Sequence, residues 1–309
     1  MRIAVVGAGG VGGYFGGRLA LAGHDVAIVA RGPHLAAIRE RGLRVRSVKG
    51  DFTTVVQASD DPAELAPCDV VLFCVKSYDT EAAAARLGPL LGEDIAVVSL
   101  QNGIDNEEKI GATVGPGRVV GGAAFIFSAI AEPGVVAHTG GPARIVFGEL
   151  DGSRTGRVEQ LLVACREAGI DAEIPRDIRV VLWTKLALIC AVAGMTAAVR
   201  LPLGDIRDCS ESWAMFRRIV AEVAALADAE GVRLGEEVVE QQVRFADGLP
   251  PESYSSLHHD LVTGRRMELD VLHGAVVRRA ARLGVPAPAN EGIYAILRPW
   301  ALRNEEASG

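Results

Sequence analysis

A glycine cluster directly behind a strand constrains this chain more than any other feature. Arg2-Ile3-Ala4-Val5-Val6 is a β-branched apolar run, and Gly7-Ala8-Gly9-Gly10-Val11-Gly12 follows it at once. Val11–Ala22 then carries Ala and Leu at helical spacing. A G-x-G-x-x-G pattern between a strand and a helix is what a backbone needs to set a helix N-terminus against an anion. Gly7 permits the tight turn, Gly9 lets a pyrophosphate approach the main chain, and Gly12 lets the helix pack close to the strand. Gly7, Ala8, Gly9, Gly10, Val11 and Gly12 are therefore the candidate dinucleotide-binding loop. A glycine-rich turn without nucleotide is the plain alternative, and the strand–turn–helix context weighs against it.

The same alternation continues downstream. Asp25–Val29, Val70–Val75 and Ile95–Leu100 read as strands, while Pro33–Arg41 and Asp79–Leu91 read as helices. Strands alternating with helices of this length imply right-handed βαβ units and a parallel sheet. Val135–His138 and Arg144–Phe147 read as two short strands added antiparallel at one edge. Beyond about Pro175 strand signals nearly vanish. Ile178–Ala198, Glu211–Glu230, Glu236–Gly248, Ser255–Thr263 and Leu269–Leu283 read as helices, with breaks at Leu201-Pro202-Leu203-Gly204 and Gly248-Leu249-Pro250-Pro251. The fold class is α/β: a Rossmann-type dinucleotide-binding domain over residues 1–172, followed by an all-α domain over residues 173–309. Asn304–Gly309 is expected to fray.

Composition narrows the function classes. With 49% apolar and 23% charged residues over 309 positions, two packed domains are affordable and wholesale disorder is excluded. A net charge of −7 argues against nucleic acid or an anionic membrane as the main partner. No uninterrupted apolar run reaches the ~18 residues of a membrane span. The apolar start is too short for a signal peptide. Cys68, Cys74, Cys165, Cys190 and Cys209 are scattered without a CxxC pair, reading as buried thiols of a reducing compartment and not as a metal site. The expected location is cytoplasmic, with no metal.

An NAD-specific fold carries Asp or Glu at the end of its second strand, where it accepts from the ribose 2′-hydroxyl. Here that place holds Ala30-Arg31-Gly32-Pro33-His34, and Asp25 stands at the strand's other end. A cation there suits a 2′-phosphate, so NADP(H) is the expected cofactor. A solvated surface arginine is the alternative for Arg31.

Residues 1–13, Cys74-Val75-Lys76, Leu100-Gln101-Asn102-Gly103, Trp183-Thr184-Lys185-Leu186, Ser255-Ser256-Leu257-His258-His259-Asp260, and Glu268-Leu269-Asp270 with Gly274 and Pro286 form a further set of motifs. In these the chain resembles the ketopantoate reductases (2-dehydropantoate 2-reductases). It is collinear to about residue 298. It implies a C-terminal domain like that of 6-phosphogluconate dehydrogenase, serving substrate binding and dimerisation, and it admits a homodimer.

It implies that Lys185 is the proton donor to a 2-oxo acid, helped by Glu268 beside the nicotinamide ribose. Lys76 would reach the cofactor, and Asn102 would touch both nicotinamide ribose and substrate. Ser256, with Ser253 nearby, would take the substrate carboxylate. Read from the residues alone, Lys185 could be a helix-surface lysine, although its apolar flanks argue against that. Asn102 could be half of an Asn-Gly turn, Ser255 and Ser256 a helix N-cap, and Glu268 a solvated helix glutamate.

One departure bears on substrate. The family pattern usually carries Asn four and eight residues after the lysine, and this chain has Ile189 and Ala193 there. The reading is NADPH-dependent reduction of ketopantoate to pantoate, on the route to pantothenate. Two readings compete with it: a reductase of another 2-oxo acid or 2-oxo ester, and an NADP-binding sensor without turnover.

Overall fold

The computed structural model describes residues 1–65 and 67–308. Contacts group the chain into two units. The first holds Met1–Gln101 and Asn106–Ile178; the second holds Asn102–Asp105 and the chain from Arg179 onward. The break thus falls after Ile178 instead of after residue 172. A strand at Asp171–Glu173 still pairs in the sheet, and Ile178 packs on Gly121 and Gly148 of that sheet.

The first unit runs β1 (Arg2–Val6), α1 (Gly10–Leu21), β2 (Asp25–Val29), α2 (Gly32–Arg41), β3 (Leu43–Ser47), β4 (Phe52–Thr54), β5 (Gln57–Ser59), β6 (Cys68–Phe73), α3 (Thr80–Ala84), β7 (Leu91–Ser99), α4 (Asn106–Val114), β8 (Val119–Glu132), β9 (Val135–Glu149), α5 (Gly156–Glu167) and β10 (Asp171–Glu173). The sheet order is β4-β3-β9-β8-β7-β6-β1-β2-β5, with β10 on β9. From β5 to β8 every pairing is parallel. The pleat assigns the two faces: Ile3 and Val5 enter one apolar cluster with Phe15 and Leu19 of α1, while Ala4 and Val6 enter another with Leu87 and Ile110. Burial on both faces is why these strands are apolar runs without alternation.

Two readings change here, and one strand had gone unread. Val135–His138 and Arg144–Phe147 are the two halves of one long strand, β9, bent where Gly141 takes φ +80° and Ala143 φ +52°. Its first half pairs with β3 and its second with β10, so β9 is not an edge. The expected helix from Asp79 to Leu91 is only the short α3, because Gly88-Pro89 cannot continue a helix and the chain passes into a 3₁₀ turn. Strand β3 went unread, although Leu43-Arg44-Val45-Arg46 alternates buried apolar residues with exposed arginines.

The second unit comprises α6 (Ile178–Val199), α7 (Leu203–Asp208), α8 (Ser210–Ala229), α9 (Val238–Asp247), α10 (Ser256–Val262), α11 (His273–Leu283) and α12 (Pro288–Ser308). Helix α6 is long and apolar enough to cross a membrane by length and composition. Its Trp183, Leu186, Ala187, Cys190, Ala191, Met195 and Ala197 instead build the core of this unit with Phe216, Ile219 and Val223 of α8. The expected frayed tail is corrected: residues through Ser308 are helical, and buried Asn304 donates to the carbonyls of Asp260 and Arg265. Gly309 lies outside the described residues. Cys209 is exposed, unlike the buried Cys68, Cys165 and Cys190.

Candidate active site

The strand order decides where the first unit can hold a ligand. The chain steps from β1 to β2 on one side and later to β6 on the other, so the order reverses at β1. Open α/β sheets bind ligands in the crevice at the carboxyl ends flanking such a point. The glycine loop sits there, between β1 and α1.

Gly7 takes φ +99°, and a Cβ on it would lie 2.7 Å from Val75 N, so both conformation and space demand glycine. A Cβ on Gly12 would lie 2.2 Å from the Gly7 carbonyl oxygen and 2.9 Å from Val5 Cγ1, which confirms the close helix–strand approach. At Gly9 a Cβ would meet nothing within 4 Å, so open space lies beside the N-terminus of α1. No side chain caps that terminus and its first turn holds no acid. The loop therefore fits a pyrophosphate. Gly10 is also obligatory, since a Cβ would strike Ser128 O at 2.3 Å, which the motif spacing does not reveal.

Two supporting residues went unread in the sequence. His34 Nδ1 accepts from the Gly134 N–H (3.0 Å), so its Nε2 carries the proton and donates to the Ala8 carbonyl (2.9 Å). Burial pushes this imidazole below its ordinary range and keeps it neutral, the form able to accept and donate at once. His34 thus ties the glycine loop to α2 and to the β8–β9 turn. Buried Gln101 donates to the Val75 carbonyl (2.9 Å) and to Thr80 Oγ1 (2.8 Å), tying the end of β7 to the segment after β6. Buried polar groups that join two loops carry no hydrophobic period, so no pattern announces them.

Lys76 is exposed just beyond β6, where its carbonyl accepts from the Asp79 N–H. Arg31 is the residue before α2, at the carboxyl end of β2, and its Nη2 lies 3.0 Å from Asp79 Oδ2. The solvated-arginine alternative for Arg31 therefore describes its exposure but omits its partner.

The second unit gathers the remaining candidates. Asn102 is half-buried on a turn where Gly103 takes φ +107°, so it is a turn residue as well as a site candidate. Asp105 anchors this segment by pairing with Arg279 (2.8 Å) and Arg278 (3.3 Å) of α11. Lys185 is half-buried on α6. Trp183 lies two residues earlier, roughly 200° around the helix, and being fixed in the core it turns Lys185 away from that core. Glu268 is 9% exposed and stands before a 3₁₀ turn between α10 and α11, so it is neither solvated nor helical.

Ser255, not Ser256, caps α10: its Oγ accepts from the His258 N–H (3.0 Å) and pairs with Thr196 Oγ1 (2.8 Å). Ser256 is exposed beside it and Ser253 is half-buried. Ile189 shares the half-buried stripe of Lys185. Ala193 does not: at 2% exposure it belongs to the core of the unit.

The position of α6 is set by a close crossing. A Cβ on Gly194 would lie 2.4 Å from Nε2 of buried His273. His273 Nδ1 contacts Asn290 Oδ1 (2.9 Å), and Asn290 donates to Glu222 (2.8 Å). Burial pushes the His273 imidazole down to about 4.

The sequence pattern of the family described as Ketopantoate reductase PanE/ApbA matches residues 3–152, and that of its C-terminal domain matches residues 177–301. The chain belongs to the ketopantoate reductase family. A 2-dehydropantoate 2-reductase of Halobacterium salinarum is 34% identical over 96% of this chain and 98% of its own length. The crystal structure of a PanE/ApbA family ketopantoate reductase from Ralstonia eutropha matches with TM-score 0.90 and 36% identity, covering 99% of this chain and 100% of that one. A D-mandelate dehydrogenase solved with NADH and anilino(oxo)acetate shares the fold at TM-score 0.89 and 22% identity, covering 99% of each chain. This member of the ketopantoate reductase family is thus a dinucleotide-binding oxidoreductase. The candidate residues fall in both units: the glycine loop, Arg31 and Lys76 belong to the first, and Asn102, Lys185, Ser253, Ser256 and Glu268 to the second.

Proposed function

We propose that this chain reduces ketopantoate to pantoate with NADPH, as a soluble cytoplasmic enzyme. The observation that carries the reading is Lys185, a half-buried lysine on a helix whose opposite face builds the core of its unit. When bound, the reduced nicotinamide supplies the hydride for the 2-oxo carbon. Lys185 polarises the carbonyl oxygen and hands it the proton, so C=O becomes CH–OH. Glu268 holds the nicotinamide ribose and the lysine in register. Asn102 contacts ribose and substrate, Ser253 and Ser256 take the substrate carboxylate, and Lys76 reaches the cofactor. Arg31 meets the 2′-phosphate.

A second reading, reduction of a different 2-oxo acid, is favoured by Ile189. An apolar side chain on the stripe of Lys185 offers no partner to the substrate's 4-hydroxyl. One assay separates the readings: loss of reduced-nicotinamide absorbance with ketopantoate and with a panel of other 2-oxo acids. Turnover of ketopantoate above the panel is expected. Turnover confined to other acids would transfer the assignment to them. Nucleotide binding with no turnover anywhere would make the chain a sensor.

A further inference from the structure

The pairing of Arg31 with Asp79 bears on which cofactor this chain admits. Arg31 follows β2 and Asp79 follows β6, and these strands flank β1 on opposite sides. Their contact (Nη2–Oδ2, 3.0 Å) therefore spans the carboxyl end of β1, the end at which the glycine loop lies. Arg31 is 85% exposed and Asp79 29%, so a ligand can reach both. In an NAD-specific fold the acid that accepts from the ribose 2′-hydroxyl comes from the end of the second strand. Here the chain delivers a carboxylate to the same neighbourhood from the segment after β6, in contact with the cation assigned to the 2′-phosphate.

We infer that Asp79 is a specificity-determining residue that admits NADH and holds down the preference for NADPH. The inference rests on the reading of Arg31 as the phosphate contact. A 2′-phosphate carries close to two negative charges at neutral pH. It must displace Asp79 from Arg31 and then sit beside a like charge. A 2′-hydroxyl meets no such repulsion and donates to the carboxylate.

The test is calorimetric titration of NADPH and NADH, without substrate, into the wild type, Asp79→Asn, Asp79→Ser and Arg31→Ala. The wild type is expected to bind both nucleotides. Both Asp79 variants should bind NADPH roughly 3- to 10-fold tighter, as removal of one solvent-screened like charge permits, and NADH no tighter than before. Added salt should shrink the gain. Arg31→Ala should weaken NADPH by about 10- to 150-fold. An unchanged NADPH-to-NADH ratio in both Asp79 variants, with the ratio moved by Arg31→Ala, overturns this inference alone. A ratio unmoved by Arg31→Ala overturns the phosphate assignment and the inference with it. Failure of the wild type to bind either nucleotide overturns the proposed function as well.

Discussion

The two units hold their candidate groups by opposite means. In the sheet unit the candidate loop is mainly backbone, with Arg31 and Lys76 beside it, and glycine is required where Val75, Ser128 and the Gly7 carbonyl crowd in. In the helical unit the candidates are side chains: Lys185 on α6, Ser256 at the start of α10, and Asn102, Ser253 and Glu268 on the turns between elements. A backbone site tolerates almost no added atoms yet demands little of side-chain chemistry. A side-chain site keeps its fold when the key group is removed and loses only the chemistry.

The sharpest way to break this comparison is Lys185→Ala. It should lower kcat by roughly 10²- to 10⁴-fold while nucleotide affinity changes little and the melting transition stays in place. Lost nucleotide binding with retained turnover would give Lys185 a structural role instead. Gly12→Ala is the counterpart in the sheet unit. The new methyl would press on the Gly7 carbonyl and Val5, so a cost of about 1–3 kcal/mol in stability and a clear loss of nucleotide affinity are expected. Wild-type affinity in that variant would show that helix and strand need not approach so closely.

Acid should act mainly on the helical unit. His273 titrates at about 4 in the native chain against an ordinary 6.5. Above 6.5 both native and unfolded states hold it neutral, and its contribution is complete. As pH falls below 6.5 the unfolded chain takes up a proton that the native chain refuses. The loss accumulates down to about pH 4 and approaches roughly 3 kcal/mol. Unfolding curves for the wild type and His273→Asn across this range should differ in pH slope, and parallel slopes would remove His273 from the account. The smallest effect concerns Ile189→Asn. It should favour ketopantoate over 2-oxoisovalerate by about 10-fold in kcat/KM, as one new hydrogen bond to the 4-hydroxyl allows. Ala193→Asn is not a partner for this test, because Ala193 is core and an amide there would overpack it.

The sheet unit was the more legible in sequence. Strands β1 and β2 have the boundaries read from their apolar runs, and the glycine motif lies where strand and helix meet. What was missed there depends on distant pairing: β3 joins β9 across some ninety residues, and β9 looked like two strands because its halves have different partners. In the helical unit α6, α8, α9, α10 and α11 were read by period while α7 and α12 were not, and burial was not readable at all. Glu268 is not the solvated helix glutamate offered as its alternative, and Ala193 is core, because an isolated residue in a periodic stretch does not report what packs over it.

Local geometry is what the sequence by itself determined. Glycine spacing, β-branched runs and helical periods act over a few residues, and their steric causes are present in the chain before it folds. Tertiary structure alone decided which residues meet. It brought Asp79 to Arg31 across β1, hung the glycine loop on His34, joined two loops through Gln101 and seated His273 against Gly194. Each of these contacts joins segments whose separation in sequence carries no periodic signal. Each is a polar or steric fit within a few ångströms, a distance set only after the sheet has ordered its strands and the helices have closed their core.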